Sequence, residues 1–257
     1  MIYLKSPKEI EIMREGGIIL GNLLDILLPN YIKAGMSGKD VEAFCEEYIV
    51  SKGGNPMLKG YGVGAEVYEH SICFSINEEV VHGLPSSSKV LKDGDIVGVD
   101  MAIEWKGYHV DKARTYAIGE TNAEAKKLLD VTKEALRVGI NKFRIGNRIG
   151  DISEAVQRFV ESNNMSVIRK FTGHGIGKSL HEDPYVPNYG YAGTGALIEE
   201  GMVLAIEPMV NLGHHNVEIG KDGWGACTLD GKWGSHFEDT VAICNGVAKI
   251  LTDSEGV

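Results

Sequence analysis

The sequence has few of the features that would make it a secreted, membrane-bound or nucleic-acid-binding chain. Only four of its 257 residues are cysteine. Cys45, Cys73, Cys227 and Cys244 are scattered, with no C-x-x-C pair, which argues against a disulfide framework and a structural zinc site. No stretch of about 18 apolar residues occurs, so no membrane span is expected. The opening MIYLKSPKEIEIMREGG carries a charge every few positions and lacks the apolar segment of a signal peptide. Basic residues are in deficit, 26 Lys and Arg against 36 Asp and Glu, for a net charge of -10. Gripping a phosphate backbone needs a basic face, so nucleic acid is not expected as the main ligand. The acidic balance suits divalent cations or a substrate amine instead. No Pro/Gly/Ser-rich linker divides the chain, and the cytoplasm is the expected compartment.

What is present is an ordinary globular balance, 43% hydrophobic and 24% charged, enough to fill a core. Ser6-Pro7-Lys8-Glu9 offers an N-cap, a proline at the first helical position and a glutamate three residues after the cap. Ile10, Met13, Gly17, Leu20, Leu24 and Leu27 follow at helical spacing until Pro29. Ser37 with Asp40 opens a second helix, with Val41, Phe44, Cys45, Tyr48 and Ile49 on one face. Thr121 with Glu124 opens a third, carrying Leu128, Leu129, Thr132, Ala135, Leu136 and Ile140, and a fourth runs from about Gly150. Between them lie β-like runs at 72–76, 96–103, 203–207 and 239–244.

The chain also repeats itself. KAGMSGKDVEAF at 33–44 parallels RIGNRIGDISEAV at 144–156, with Gly35 on Gly146 and Asp40 on Asp151, an offset of 111. KDGDIVGVD at 92–100 parallels EEGMVLAIE at 199–207, with Gly94 on Gly201 and Asp100 on Glu207, an offset of 107. Each half places a carboxylate six residues after a glycine in an apolar strand. The reading is a duplicated α+β unit: one domain over 1–257, in two pseudo-symmetric halves of about 1–120 and 121–257.

Those carboxylates carry the chemistry. Asp100 interrupts the run Ile96–Ile103, where burial of a charge is costly unless it is paired or metal-bound. Glu104-Trp105-Lys106-Gly107 can close a hairpin with a two-residue loop at 105–106, which sets Asp100 directly opposite Asp111. Like charges in that position repel, so either one is protonated or a cation lies between them. Glu207 ends one apolar strand and Glu238 leads another. Four carboxylates and one neutral imidazole would make a site for two first-row divalent ions, and GHGIGKSLHEDP at 173–184 offers His174 and His181.

The ordered set V-D-M at 99–101, H-V-D at 109–111, G-H-G-I-G at 173–177, A-I-E-P at 205–208 and F-E-D-T at 237–240, with N-E-E-V-V-H-G-L-P at 77–85, closely resembles the type I methionine aminopeptidases over essentially the whole chain. The resemblance implies the pita-bread fold, a curved antiparallel sheet backed by two pairs of helices with pseudo-two-fold symmetry. It implies two divalent ions (Fe²⁺, Mn²⁺, Co²⁺ or Zn²⁺) bridged by Asp111 and Glu238. Asp100 would complete one ion site, and His174 with Glu207 the other. A water between the ions would be the nucleophile, Glu207 would take its proton, and His82 and His181 would contact the substrate. Tyr61, Cys73 and Trp224 fall on the positions that line the methionine pocket. The implied substrates are N-terminal segments of nascent proteins near the ribosome, trimmed when the second residue is small, by a monomer. The chain's own Ile2 is large, so Met1 is expected to be retained.

The sequence departs from the commonest family pattern at Leu180, where many members have Phe, and at Asp239, where many have His. The loop at 60–71 is longer and lacks a proline, which leaves the pocket role of Tyr68 open. Two rival readings are an X-Pro peptidase of the same fold, which normally carries a large N-terminal domain, and a non-catalytic peptide-binding module, which would have lost ligands. The spacing between His174 and Glu238 leaves no room for the insertion of type II enzymes.

Overall fold

A computed structural model of the protein describes residues 1–62 and 67–254. Helix α1 (Pro7–Gly21) begins as its sequence dictates: Ser6 accepts from the Glu9 N–H, and the Glu9 carboxylate accepts from the Ser6 N–H at 2.7 Å. The helical path does not stop before Pro29. It widens into a π-helical segment, Asn22–Leu27, and continues as α2 (Leu28–Tyr31), with Pro29 in its first turn. Helix α3 (Gly38–Ser51) is capped reciprocally by Ser37 and Asp40. Helix α4 (Ala123–Lys142) is capped by Asn122 rather than Thr121, whose hydroxyl is drawn away to the Gly94 carbonyl at 2.8 Å. Helix α5 (Ile149–Ser162) starts where Asp151 accepts from the Arg148 N–H at 2.6 Å.

The helices back a nine-stranded sheet made of β1 (Asn55–Pro56), β2 (Cys73–Ile76), β3 (Ile96–Trp105), β4 (Tyr108–Ala117), β5 (Thr172–Gly175), β6 (Glu182–Pro187), β7 (Val203–Ile206), β8 (Glu238–Cys244) and β9 (Val247–Ile250). The order across the sheet is β1-β3-β4-β8-β7-β5-β6, with β2 alongside β3 and β9 alongside β8. Every one of these pairings is antiparallel. Val97, Val99, Met101 and Ile103 of β3 pack with Leu20 and Leu24 of the first helical path and with Val41, Cys45 and Ile49 of α3. Leu204, Ile206, Val241 and Ile243 pack with α4 and α5 in a second buried cluster. Period-two alternation leaves the other sheet face for the residues between them.

The duplication is visible bond by bond. Ser37 bridges Val90 in the first half, and Arg148 bridges Leu197 in the second. The Gly38 N–H donates to the Lys89 carbonyl as the Ile149 N–H does to Ala196, and Leu91 donates to Met36 as Ile198 does to Asn147. The paired glycines adopt the same left-handed backbone, with φ of 88° and 89° at Gly35 and Gly146.

Two corrections to the sequence reading concern register and turn. The β3–β4 loop is Lys106-Gly107, both with positive φ (51° and 84°), as a two-residue type I′ hairpin requires. Asp100 therefore faces Ala113, and Asp111 faces Ala102. A shift of two residues keeps both acids on one face but sets them diagonally rather than directly opposite.

On the reverse face of the same strands, Lys112 stands opposite Asp239. The Lys112 ammonium, fully buried, donates to Asp239 Oδ1 at 2.6 Å and to the Thr252 carbonyl at 2.8 Å, and lies 3.0 Å from Asp25 Oδ2. Arg114 joins both acids, through Nε to Asp25 at 2.7 Å and Nη2 to Asp239 at 2.9 Å. Burial opposes ionisation of Asp239, but the Arg114 and Lys112 charges outweigh it and hold the carboxyl below its ordinary range. Removing one member of such a cluster strands a buried charge. Asp239→Ala should cost on the order of 3–5 kcal/mol in chemical unfolding; a loss under about 1 kcal/mol would show that the cluster does not hold β4 to β8.

Candidate metal centre

On one face of the sheet the side chains of neighbouring strands converge. Cys73, Asp100, Ala113 and Glu238 are successive neighbours across β2, β3, β4 and β8, so all four point to one side. Asp111 lies two residues before Ala113 on the same face, and the methyl of Ala113 leaves open the space between the acids. From the other half, His174 of β5 pairs with Ala205 of β7, and Glu207 lies two residues beyond Ala205. Thr240 locks the rows together: its hydroxyl accepts from the Asp111 N–H and donates to the Asp111 carbonyl, both at 2.9 Å.

These residues line one cavity of about 410 Å³. All ten sequence-predicted site residues border it: Asp100, Asp111, His174, Glu207 and Glu238, with His82, His181, Tyr61, Cys73 and Trp224. His174 Nε2 lies 3.6 Å from Glu207 Oε1 and 3.9 Å from Asp111 Oδ2. Its Nδ1 lies 2.8 Å from the Gly175 carbonyl, a contact that assigns the proton to Nδ1 and the lone pair to Nε2. Asp111, His174 and Glu238 form one group able to share an ion, and Glu207, His236 and Glu238 form another.

The electrostatics are those of an acid cluster short of positive charge. Burial, then the Asp111 charge, pushes the Asp100 carboxyl well above its ordinary range. Burial raises Asp111 to about 6. Burial, then neighbouring carboxylates, raises Glu207 and Glu238 well above theirs. Burial, then His181, lowers His174 to about 3, so its imidazole is neutral. Buried Glu238 Oε1 and His236 Nε2 find no hydrogen-bond partner among the described residues. Hard oxygens, a neutral imidazole and orphaned polar atoms fit divalent first-row cations, whose charge would relieve the repulsion.

Beside this centre the cavity has an apolar wall. Tyr68, whose role the sequence left open, is buried there, with its hydroxyl donating to the Ile72 carbonyl at 2.8 Å and its ring edge-on to Trp224 at 5.0 Å. Leu58, Leu180 and Cys73 complete the wall. The longer loop at 60–71 lies in part, at 63–66, outside the described residues. Tyr61 Oη reaches His181 Nδ1 at 2.6 Å, so Tyr61 touches a site histidine as well as lining the pocket. His82 is held in a left-handed conformation (φ 59°), its ring edge-on to Phe171, and burial, then His181, lowers its pKa to about 4. The sequence reading missed His236. Alternation along S-H-F-E could have found it, because a residue two before Glu238 shares its face.

Comparison with known proteins gives this arrangement a context. The profile of metallopeptidase family M24 matches residues 11–245. The methionine aminopeptidase of Clostridium perfringens is 46% identical over 98% of this chain and 99% of its own length. Methionine aminopeptidase 1 of Bacillus subtilis is 45% identical over 98% and 99%. Among solved structures, the methionine aminopeptidase of Thermotoga maritima superposes with a TM-score of 0.95 at 44% identity, over 99% of this chain and 100% of that one. The prolidase of Pyrococcus horikoshii, at 21% identity, shares the fold with a TM-score of 0.75, and this chain spans 64% of it.

The raised carboxyl pKa values set a pH dependence. Their protonated forms stabilise the cation-free protein fully below the ordinary carboxylate pKa of about 4, and that contribution is lost as pH rises through about 6 for Asp111 and through the raised range of the other three. A bound divalent cation would replace the protons. The rise in melting temperature on adding Mn²⁺ should therefore widen between about pH 5 and pH 7.5. A rise that stays constant over this range would show that these acids do not face the ion.

Proposed function

The chain belongs to metallopeptidase family M24 as one of its methionine aminopeptidases, and we propose that its removal of N-terminal methionine runs on two divalent ions held by Asp100, Asp111, His174, Glu207 and Glu238. The observation that carries this reading is the convergence of four carboxylates and a neutral imidazole on one cavity with an apolar wall. Asp111 and Glu238, central in the sheet, would be held in common by the two ions, with Asp100 completing one site and His174 with Glu207 the other. When bound, such ions lower the pKa of a water held between them and polarise the scissile carbonyl.

The chain's own groups do the rest. Glu207, bordering the cavity beside His174, accepts the proton of the attacking water. His181, with Nδ1 engaged by Tyr61, keeps Nε2 for the substrate, and His82 faces the same cavity. Both steady the oxygen on which negative charge develops. Tyr61, Tyr68, Cys73, Leu180 and Trp224 receive the methionine side chain, whose thioether is favoured against aromatic rings. A small second residue fits beside the centre where a branched one crowds it. The ion is Fe²⁺, Mn²⁺, Co²⁺ or Zn²⁺, all suited to this donor set. The substrates are the N-termini of nascent proteins, met by a monomer in the cytoplasm beside the ribosome. No helix of the described residues is long and apolar enough to cross a membrane.

The test is a peptide assay. Metal-depleted protein should leave Met-Ala-Ser intact, and Mn²⁺ or Co²⁺ should restore release of methionine. Met-Ile-Ser should be cut roughly ten- to a hundred-fold more slowly, as a misfit of about 1–3 kcal/mol demands. Equal cleavage of the two peptides, or preference for Ala-Pro, would overturn the pocket assignment; turnover by metal-free protein would overturn the mechanism. Glu207→Gln should lower kcat about 10²–10⁴-fold, and near-normal turnover in that variant would remove Glu207 from the proton-accepting role.

A further inference from the structure

His236 is buried at the centre, and the reaction as described gives it no task. The residue is 3% exposed, and Nε2 has no hydrogen-bond partner among the described residues. That nitrogen faces Glu207 Oε2 at 3.5 Å and Glu238 Oε2 at 3.8 Å. His174 addresses the other oxygen of the same carboxylate, Oε1, at 3.6 Å. Glu207 is thus bracketed by two imidazoles, one for each oxygen.

The two imidazoles cannot play the same part. A catalytic ion keeps a position open for water and substrate, and a further protein ligand would close it. A carboxylate that gives one oxygen to an ion commonly offers the other to a hydrogen-bond donor, and that outer contact fixes its orientation. His236 is built for the second task. Its backbone is clamped, with its N–H donating to Thr115 Oγ1 at 3.0 Å and its carbonyl accepting from the same hydroxyl at 2.8 Å. The ring therefore stands on a fixed stretch of backbone, nearest the Glu207 oxygen that His174 does not address.

We propose that His236 is a positioning residue whose Nε2–H is the donor to the outer oxygen of Glu207, with Glu238 alongside, so that it orients both carboxylates toward the ions. This rests on the reading of Glu207 and Glu238 as ligands. It adds a side chain to the working centre without adding a ligand.

Two variants separate the possibilities. His236→Leu keeps volume but has no donor, and His236→Gln restores an N–H. Mn²⁺ or Co²⁺ affinity by calorimetry, the number of coordinated imidazoles by X-ray absorption of the Co²⁺-loaded protein, and kcat and KM on Met-Ala-Ser are measured for each. In His236→Leu the affinity should fall roughly 10–100-fold, and kcat should fall with KM little changed. The imidazole count should equal that of the wild type, and His236→Gln should recover most of the loss. Wild-type affinity and kcat in His236→Leu would overturn the proposal. So would the loss of one coordinated imidazole, which would make His236 a ligand, or a Gln variant no better than Leu. If His236→Leu does not fold, His236→Gln decides alone: affinity and kcat near wild type support the donor role, and a 10–100-fold loss overturns it. Absence of divalent binding by the wild type would instead bring down the underlying reading of the centre.

Discussion

Four carboxylates that cannot all be ionised together without a cation are the constraint on which this structure turns. Asp100, Asp111, Glu207 and Glu238 border one cavity; burial pushes all four above the ordinary range, and neighbouring carboxylates add to the shift of Asp100, Glu207 and Glu238. Desolvating even one carboxylate is expensive, and a second beside it adds Coulomb repulsion. A fold shaped only for stability would replace them with apolar side chains. The sheet must therefore be rigid enough to hold the acids together before any ion relieves them.

The rigidity comes from the reverse face of the same strands. Alternation sends Asp111 and Glu238 toward the cavity and their neighbours Lys112 and Asp239 toward the helices. There the charges balance: two cations, Lys112 and Arg114, meet two acids, Asp25 and Asp239. Lys112 and Asp239 are directly opposite in the ladder, so their pairing also pins the register of β4 against β8. A slip of one residue would turn Asp111 and Glu238 away from the cavity and bring a lysine into it. The departure from the common family pattern at Asp239 thus has a local physical reason, since its buried charge is answered by Lys112 and Arg114.

Much of this was legible in the sequence because it is written in local chemistry. The Ser6–Glu9 and Ser37–Asp40 boxes form as read, since each is closed within one helical turn. The repeat survives as matched bridges at Ser37–Val90 and Arg148–Leu197. The hairpin loop was misplaced by one residue because its turn type depends on which residues take positive φ, and Lys106, a non-glycine, is one of them. The error left both acids on the cavity face, because the partner shifts by two and side chains alternate with period two. Thr121 lost its capping role to a tertiary bond with Gly94, Tyr68 came to the pocket through a loop, and His236 was hidden behind the more conspicuous glutamate two residues on. The first two are long-range facts that local patterns do not encode, whereas strand alternation already placed His236 on the face of Glu238.

The position of the centre follows from the strand order. Strand β8 is where the two halves meet: at Asp239 it pairs with Lys112 of β4 on one side and Ile206 of β7 on the other. First-half acids Asp100 and Asp111 arrive from one flank, and His174 and Glu207 from the other. Glu238, on the shared strand, faces both groups, which is why it belongs to both clusters able to share an ion. A duplicated unit offers one equivalent acid in each half, Asp100 and Glu207, and brings them within reach of common partners only at the seam. The chemistry is therefore a property of the junction: neither half alone brings together the acids, the imidazole and the pocket wall.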